Sequence, residues 1–245
     1  MKYTTGKSNQ KSGFTLIELL TVIVIMAIVA GMVVGLAGVA GKKKRIARTQ
    51  AELNQLVTAI DSYFAEYNSY PPQVGGNYAV NSLYHELTGT KFAQDNITPA
   101  NSTFTTSDGR LTLNVEAVQE FFGLGGFAHV SDDVDPSTSR IIEPKNFIPS
   151  ITPGQTALIK INDPSFTAYT AQILIVPAEA PPGKGIIDKP TPMVRNYAQD
   201  IDGNGKIVNP WRYNASNPSN NPNSYDLWAE IQVGDDTIII GNWDN

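Results

Sequence analysis

The sequence predicts an α+β fold: a long N-terminal helix, transmembrane in its first half, packed through its second half on a C-terminal antiparallel β-sheet. Three observations carry this. First, an apolar stretch of 27 residues runs from Phe14 to Ala40, longer than the roughly 20 residues that span a bilayer as helix. Second, a helical period continues beyond it. Ile46, Leu53, Leu56, Val57, Ile60, Phe64 and Tyr67 lie on one side of the cylinder, with Gln50, Glu52, Asn54, Asp61 and Glu66 elsewhere. Third, the C-terminal end alternates in short β-branched and aromatic runs separated by turn residues.

The elements follow in order. Residues 1–13 read as a leader peptide with Lys2, Lys7 and Lys11 and no acid. Residues 14–41 read as the membrane helix. That run exceeds a secretory signal core of about 7–15 residues, and it continues past the signal-peptidase-like Ala27-Ile28-Val29-Ala30. Residues 42–70 are the amphipathic half of the same helix. No proline interrupts residues 14–70, so one helix from about Phe14 to about Tyr67 is expected, roughly 80 Å long. Asn68-Ser69-Tyr70-Pro71-Pro72 and Gly75-Gly76 end it.

Residues 71–199 form a variable α/β insertion region. A short helix at 80–90 closes at Gly89. Residues 91–115 are polar and turn-rich, with a strand at 111–115, and 116–122 form a second short helix. The runs 157–161 and 167–176 are β-branched and read as a hairpin across Asn162-Asp163-Pro164. Residues 177–192, rich in proline and glycine, read as an exposed loop. Residues 200–245 form a β-meander from 209–215, 224–231 and 237–243, whose apolar face is expected to cover the amphipathic helix half. No internal repeat is present.

Charge is divided along the chain. Lys42, Lys43, Lys44, Arg45 and Arg48 follow the apolar run as a basic collar. From Thr49 onward there are 10 basic and 22 acidic residues, a net of −12. The basic clusters sit at the ends of the apolar run and the remainder of the chain is net acidic, which does not point to nucleic acid. The absence of cysteine removes disulfides, thiolate metal sites and thiol catalysis. Catalytic motifs such as G-x-S-x-G, H-E-x-x-H or a P-loop are missing, and the protein is not expected to be an enzyme. His85 reads as a surface residue of its helix, and Asp132, Asp133 and Asp135 as a solvated loop.

The chemistry concentrates at Lys11-Ser12-Gly13-Phe14-Thr15-Leu16-Ile17-Glu18. A charge at the bilayer centre costs about 2.5–3.5 kcal/mol on insertion scales, so an acid at the head of an apolar helix calls for a partner. This segment resembles the type III signal of type IV pilins and pseudopilins. The resemblance implies that prepilin peptidase cuts between Gly13 and Phe14 and that the new N-terminus, Phe14, is N-methylated. It also implies that Glu18 meets the N-terminal amine of a neighbouring subunit as helices assemble into a homo-oligomeric helical filament. Two such charges attract strongly where the dielectric is low. Gly31 and Gly35 form a G-x-x-x-G that either permits close helix approach or softens the helix locally. Gly35 stands where type IV pilins often carry proline.

Five basic residues follow the helix and three precede it, so the positive-inside rule alone places the soluble domain in the cytoplasm. The resemblance implies the opposite and is the more specific signal. It implies a single-pass protein of the cytoplasmic (inner) membrane, with its C-terminal domain extracytoplasmic, assembled into a periplasmic or surface filament.

A second resemblance covers residues 45–90 and 200–245. The helix from Arg48 through Ala51, Leu56, Ala59, Ile60 and Tyr63 to Tyr70-Pro71-Pro72 is similar to that of the major pseudopilin of type II secretion systems. So are Asn209-Pro210-Trp211-Arg212-Tyr213, Ser224-Tyr225-Asp226-Leu227-Trp228 and Gly241-Asn242-Trp243-Asp244. Residues 91–195 are an insertion that the compact family member lacks. The resemblance implies a pilin-like fold. It further implies a structural subunit of a type II secretion pseudopilus driving protein export. Its partners would be prepilin peptidase, other (pseudo)pilins, the inner-membrane assembly platform and membrane lipid. The alternatives are a type IV pilus pilin for adhesion, motility or DNA uptake, and a membrane-tethered extracytoplasmic binding protein whose insertion holds a ligand.

Asp200-Ile201-Asp202-Gly203-Asn204-Gly205-Lys206-Ile207 matches the first eight positions of an EF-hand-type loop. Asp200, Asp202, Asn204 and the Lys206 carbonyl are the expected calcium ligands. Position 12 is Trp211, so a true EF-hand is excluded and Asp226 is the candidate for a missing ligand. The family's calcium loop between its last strands is reduced here to Gly234-Asp235-Asp236. The competing reading is two tight turns, Asp202-Gly203 and Asn204-Gly205, with no metal.

Overall fold

The computed structural model describes residues 14–73, 78–131, 137–139, 142–161, 170–182, 197–198 and 208–243, with backbone alone for 33–39, 100, 160–161 and 197–198. Contacts divide the chain into two units, Met1–Lys44 and Arg45–Asn245. One helix, α1 (Leu16–Tyr67), supplies residues to both.

In the first unit the described apolar side chains are exposed, Phe14 at 85% and Leu16 at 84% among them. Among the described residues no helix is long and apolar enough to cross a membrane. The apolar sequence itself continues through residues 33–39, whose side chains lie outside the described set.

In the second unit α1 buries Leu53, Leu56 and Ile60 of the predicted stripe, joined by Ala59 and Tyr63; Ile46 and Val57 are partly buried, and Phe64 and Tyr67 are exposed. It stops at Asn68, which takes a left-handed conformation (φ 52°) and donates its N–H to the Phe64 carbonyl at 2.7 Å. Asparagine tolerates that conformation, and the bond satisfies one of the orphan carbonyls of the last turn. The two prolines that follow cannot continue a helix.

The insertion builds a short helix, α2 (Leu83–Thr88), closed by Gly89 at φ 76°. A Cβ on Gly89 would lie 2.6 Å from the Pro144 ring, so the close approach as well as the turn requires glycine. The first sheet then has order β3-β2-β1-β4, from β1 (Thr90–Ala93), β2 (Thr103–Thr106), β3 (Thr112–Asn114) and β4 (Val130–Ser131). Only the β1–β4 pair is parallel. Helix α3 (Val115–Phe122) starts at Asn114, whose side chain accepts the Ala117 N–H at 2.8 Å.

Residues 91–115 therefore hold three strands rather than the one expected. Threonine hides the pattern: in Thr103-Phe104-Thr105-Thr106 the alternation is between buried and half-buried positions, not between apolar and polar residues. Thr106 is buried because its hydroxyl donates to Asp108 at 2.6 Å.

A second sheet, order β7-β5-β6-β8, comprises β5 (Thr156–Ile161), β6 (Thr170–Val176), β7 (Tyr197–Ala198) and β8 (Asn209–Pro210). β5 and β6 pair antiparallel as expected, from Thr156↔Leu174 to Lys160↔Thr170. The expected connection across 162–164 and most of the loop expected at 177–192 lie outside the described residues. The C-terminal meander is present as β9 (Arg212–Asn214), β10 (Asp226–Val233) and β11 (Asp236–Gly241), in order β11-β10-β9. The expected first strand is broken at Trp211, whose N–H bonds to the Leu174 carbonyl at 3.1 Å.

Two buried clusters result. One gathers the α1 stripe with Leu83 and Leu87 of α2, Leu174 and Val176 of β6, and Tyr213, Leu227, Ala229 and Ile231 of the meander. The other gathers Phe104, Leu113, Val118, Phe121, Phe122 and Phe127 with Ile159, Ala171 and Ile173. Successive side chains of a strand point to opposite faces, so β6 serves both clusters and the insertion gains a core of its own.

Candidate functional site at the head of the N-terminal helix

The first N–H groups of any α-helix lack an intrahelical partner. At the head of α1 the sequence solves this with Thr15 and Glu18, three residues apart. The Thr15 hydroxyl accepts the Glu18 N–H at 3.3 Å, and Glu18 Oε2 accepts the Thr15 N–H at 2.8 Å. The same Oε2 accepts the Thr15 hydroxyl proton at 2.8 Å. This reciprocal pair is a capping box, and its acid sits where the helix dipole favours negative charge. The T-x-x-E spacing ahead of an apolar run is a readable sequence signal for it. One turn on, the Thr21 hydroxyl donates to the Ile17 carbonyl at 2.7 Å, which conceals a polar group within the apolar stretch.

The other N-terminal residues stand around this cap. Phe14 is the first described residue and is exposed; Gly13 lies outside the described residues. A Cβ on Gly31 would meet nothing within 4 Å, so open space surrounds that glycine.

The calcium expectation meets a different geometry. Asp200, Asp202, Asn204 and Lys206 lie outside the described residues. Asp226 is buried, and its carboxylate is already engaged. Oδ2 accepts the N–H groups of Ser219 and Asn220 at 2.7 and 3.0 Å and the Asn220 side-chain amide at 3.3 Å, while Oδ1 accepts the Asn221 N–H at 2.8 Å. Asn221 and Asn242 complete the tie: the two side chains meet at 3.1 Å and both donate to the Tyr225 carbonyl. As it stands, Asp226 anchors the loop that leads into β10. Between β10 and β11 the ladder closes at Val233↔Asp236 around Gly234 (φ 69°), a tight turn. Among the described residues no group of three or more His, Asp or Glu is placed to hold a metal ion.

His85 is not the surface residue expected from its polarity. It is fully buried, stacked on Phe127 with ring centroids 4.7 Å apart and edge-on to Phe122. All of α2 is buried, since Leu83 and Leu87 serve one cluster while His85 meets the aromatic rings of the other. Burial pushes the His85 imidazole down to about 3, against an opposing pull from the Gln172 backbone. Beside it, the buried Glu86 carboxylate accepts the Tyr63 hydroxyl at 3.0 Å and the Ala128 and His129 N–H groups at 2.8 Å each. Its pKa is raised by burial, with these bonds opposing the shift. His129 Nδ1 lies 2.6 Å from the Glu86 carbonyl. Sequence reasoning missed this network, which ties α1, α2 and the 127–129 turn together. The only sequence signal was the His85-Glu86 pair set among the apolar Leu83, Tyr84 and Leu87. Asp132, Asp133 and Asp135 lie outside the described residues.

Residues 8–34 match the family model described as the prokaryotic N-terminal methylation motif. The match spans Gly13, Phe14, the Thr15–Glu18 cap and the first turns of α1. No curated protein and no solved structure matches the chain.

Proposed function

We propose that this chain is a prepilin-type structural subunit, cut between Gly13 and Phe14 by prepilin peptidase and N-methylated on Phe14. The observation that carries the reading is the methylation-motif match over residues 8–34, supported by a helix that begins at Leu16 with Glu18 in its first turn. The apolar run from Phe14 to Ala40 supports a single-pass anchor in the cytoplasmic membrane before assembly, and the resemblance of residues 11–18 to a type III signal supports an extracytoplasmic Arg45–Asn245 unit. Mature subunits then join other pilin-type subunits in a helical filament through their apolar helices, with Glu18 offered to the N-terminal amine of a neighbour. Among filament systems, the Tyr70-Pro71-Pro72 stop and the Asn209–Asn242 meander favour a type II secretion pseudopilus over a type IV pilus.

Mass spectrometry of the protein from membranes tests the processing step. The expected N-terminus is N-methyl-Phe14; a mature chain that retains residues 1–13 overturns the reading.

Calcium at Asp200, Asp202, Asn204 and the Lys206 carbonyl belongs to the same proposal and rests on their spacing alone. Asp226 would join through Oδ1, which accepts one N–H, from Asn221, whereas Oδ2 is taken by Ser219 and Asn220. Calorimetric titration is expected to show one calcium site that Asp202→Ala removes. A flat titration of the wild-type chain excludes the site.

A further inference from the structure

Lys42, Lys43 and Lys44 follow directly on the apolar run and are exposed on α1. Consecutive helical residues are about 100° apart around the axis, so three in a row spread ammonium groups over roughly 200° of the rod's circumference. Among the described residues no carboxylate pairs with any of the three, whereas Arg48 is engaged by Glu52 at 3.1 Å. A docking protein approaches a helix from one side and can satisfy one or two members of such an arc. A layer of phosphates surrounds the helix and can satisfy all of them. The position along the axis agrees. From Leu16 to Lys42 the helix rises roughly 40 Å, close to the approximately 40–45 Å between the headgroup layers of a bilayer.

We infer that Lys42–Lys44 form a collar that seats in the headgroup layer of the leaflet away from the leader and binds anionic phospholipid phosphates. This rests on the membrane-anchored reading above and adds to it. Before processing, Lys2, Lys7 and Lys11 add cations ahead of the apolar run; once residues 1–13 are removed, the collar is the lysine cluster that remains to hold the anchor at a defined depth. Lysine stems are long enough to lie along the apolar boundary while the ammonium reaches a phosphate. A subunit leaving the bilayer for a filament must first release these contacts, so the collar sets part of the barrier to extraction.

The test uses the full chain purified in detergent, with native mass spectrometry counting retained phosphatidylglycerol and phosphatidylcholine. The comparison variant is K42Q/K43Q/K44Q, which keeps long polar side chains and removes the charge; far-UV circular dichroism checks that it folds. The wild type is expected to prefer phosphatidylglycerol by on the order of tenfold or more, and the variant to lose most of that preference. Equal selectivity in both proteins overturns the collar. So does unchanged lipid selectivity accompanied by loss of self-association, which would assign the lysines to the acidic surface of a second copy. Wild-type chain recovered in the soluble fraction after cell lysis, with neither lipid retained, instead overturns the membrane-anchored reading, which separates the two failures.

Discussion

Glu18 is satisfied within its own chain. Its carboxylate bonds the N–H and hydroxyl of Thr15, two donors that an uncapped helix would leave to water or lipid. The acid therefore has a local role, starting the helix, beside the proposed role in assembly. His85 shows the opposite case, a polar residue with no charge to keep. Its folded-state pKa is depressed to about 3, below an ordinary value of 6.5. The unfolded chain thus takes up the proton first as pH falls. The stability that neutral His85 permits is complete above about pH 6.5 and is lost as pH drops from there toward 3. His129, also held low by burial, acts in the same direction. Glu86, raised by burial, acts in the opposite one, since the folded state favours its protonated form. Urea unfolding of wild type and His85→Leu at pH 7 and pH 4 measures the histidine directly. The wild type is expected to lose up to about 3 kcal/mol more than the variant between the two pH values. Equal losses would show that His85 does not remain neutral and buried.

At the scale of elements, β6 is the strand that lets the insertion share a body with the α1-and-meander core. Ile173 faces the phenylalanine-rich cluster and Leu174 the cluster of α1 and the meander. Both are almost fully buried. Ile173→Ala and Leu174→Ala are each expected to cost about 2–5 kcal/mol. Hydrogen exchange separates them: Ile173→Ala should loosen amides of α3 and β2 first, and Leu174→Ala those of α1 and β10. Identical exchange maps would mean that the two clusters behave as one. The elements differed in how legible they were. α1, α2, α3, the antiparallel β5–β6 pair and the meander were readable because their apolar residues keep the period of their secondary structure. β1 and β2 were not, because threonine fills positions where apolar residues are expected and a hydroxyl bond inside the fold makes burial tolerable. The inward turn of His85 was equally hidden, since polarity predicts exposure until two cores are known to meet at α2.

For the whole molecule, the two units differ in what they bury and what they expose. The Arg45–Asn245 unit has two buried clusters and a meander closed by Asp226, Asn221 and Asn242. The Met1–Lys44 unit exposes its described apolar side chains, which suits lipid or other helices as surroundings rather than water. Glu18→Ala is therefore expected to abolish filament assembly in cells while the thermal midpoint of the Arg45–Asn245 unit stays unchanged. Filaments of normal length from the variant, seen by electron microscopy, would remove Glu18 from the assembly mechanism. A fallen midpoint would mean that its effect is on folding.

By itself the sequence determined the methylation motif over residues 8–34, the acid at Glu18, the extent of α1 and the order of the C-terminal strands. These depend on neighbours along the chain: a spacing, a period, a stop signal. Only the tertiary structure decided that the insertion has its own aromatic core, that His85 and Glu86 are interior, and that Asp226 is held by the N–H groups of Ser219, Asn220 and Asn221. Each of these depends on which distant segments come together, and burial follows from that meeting rather than from the polarity of a single residue.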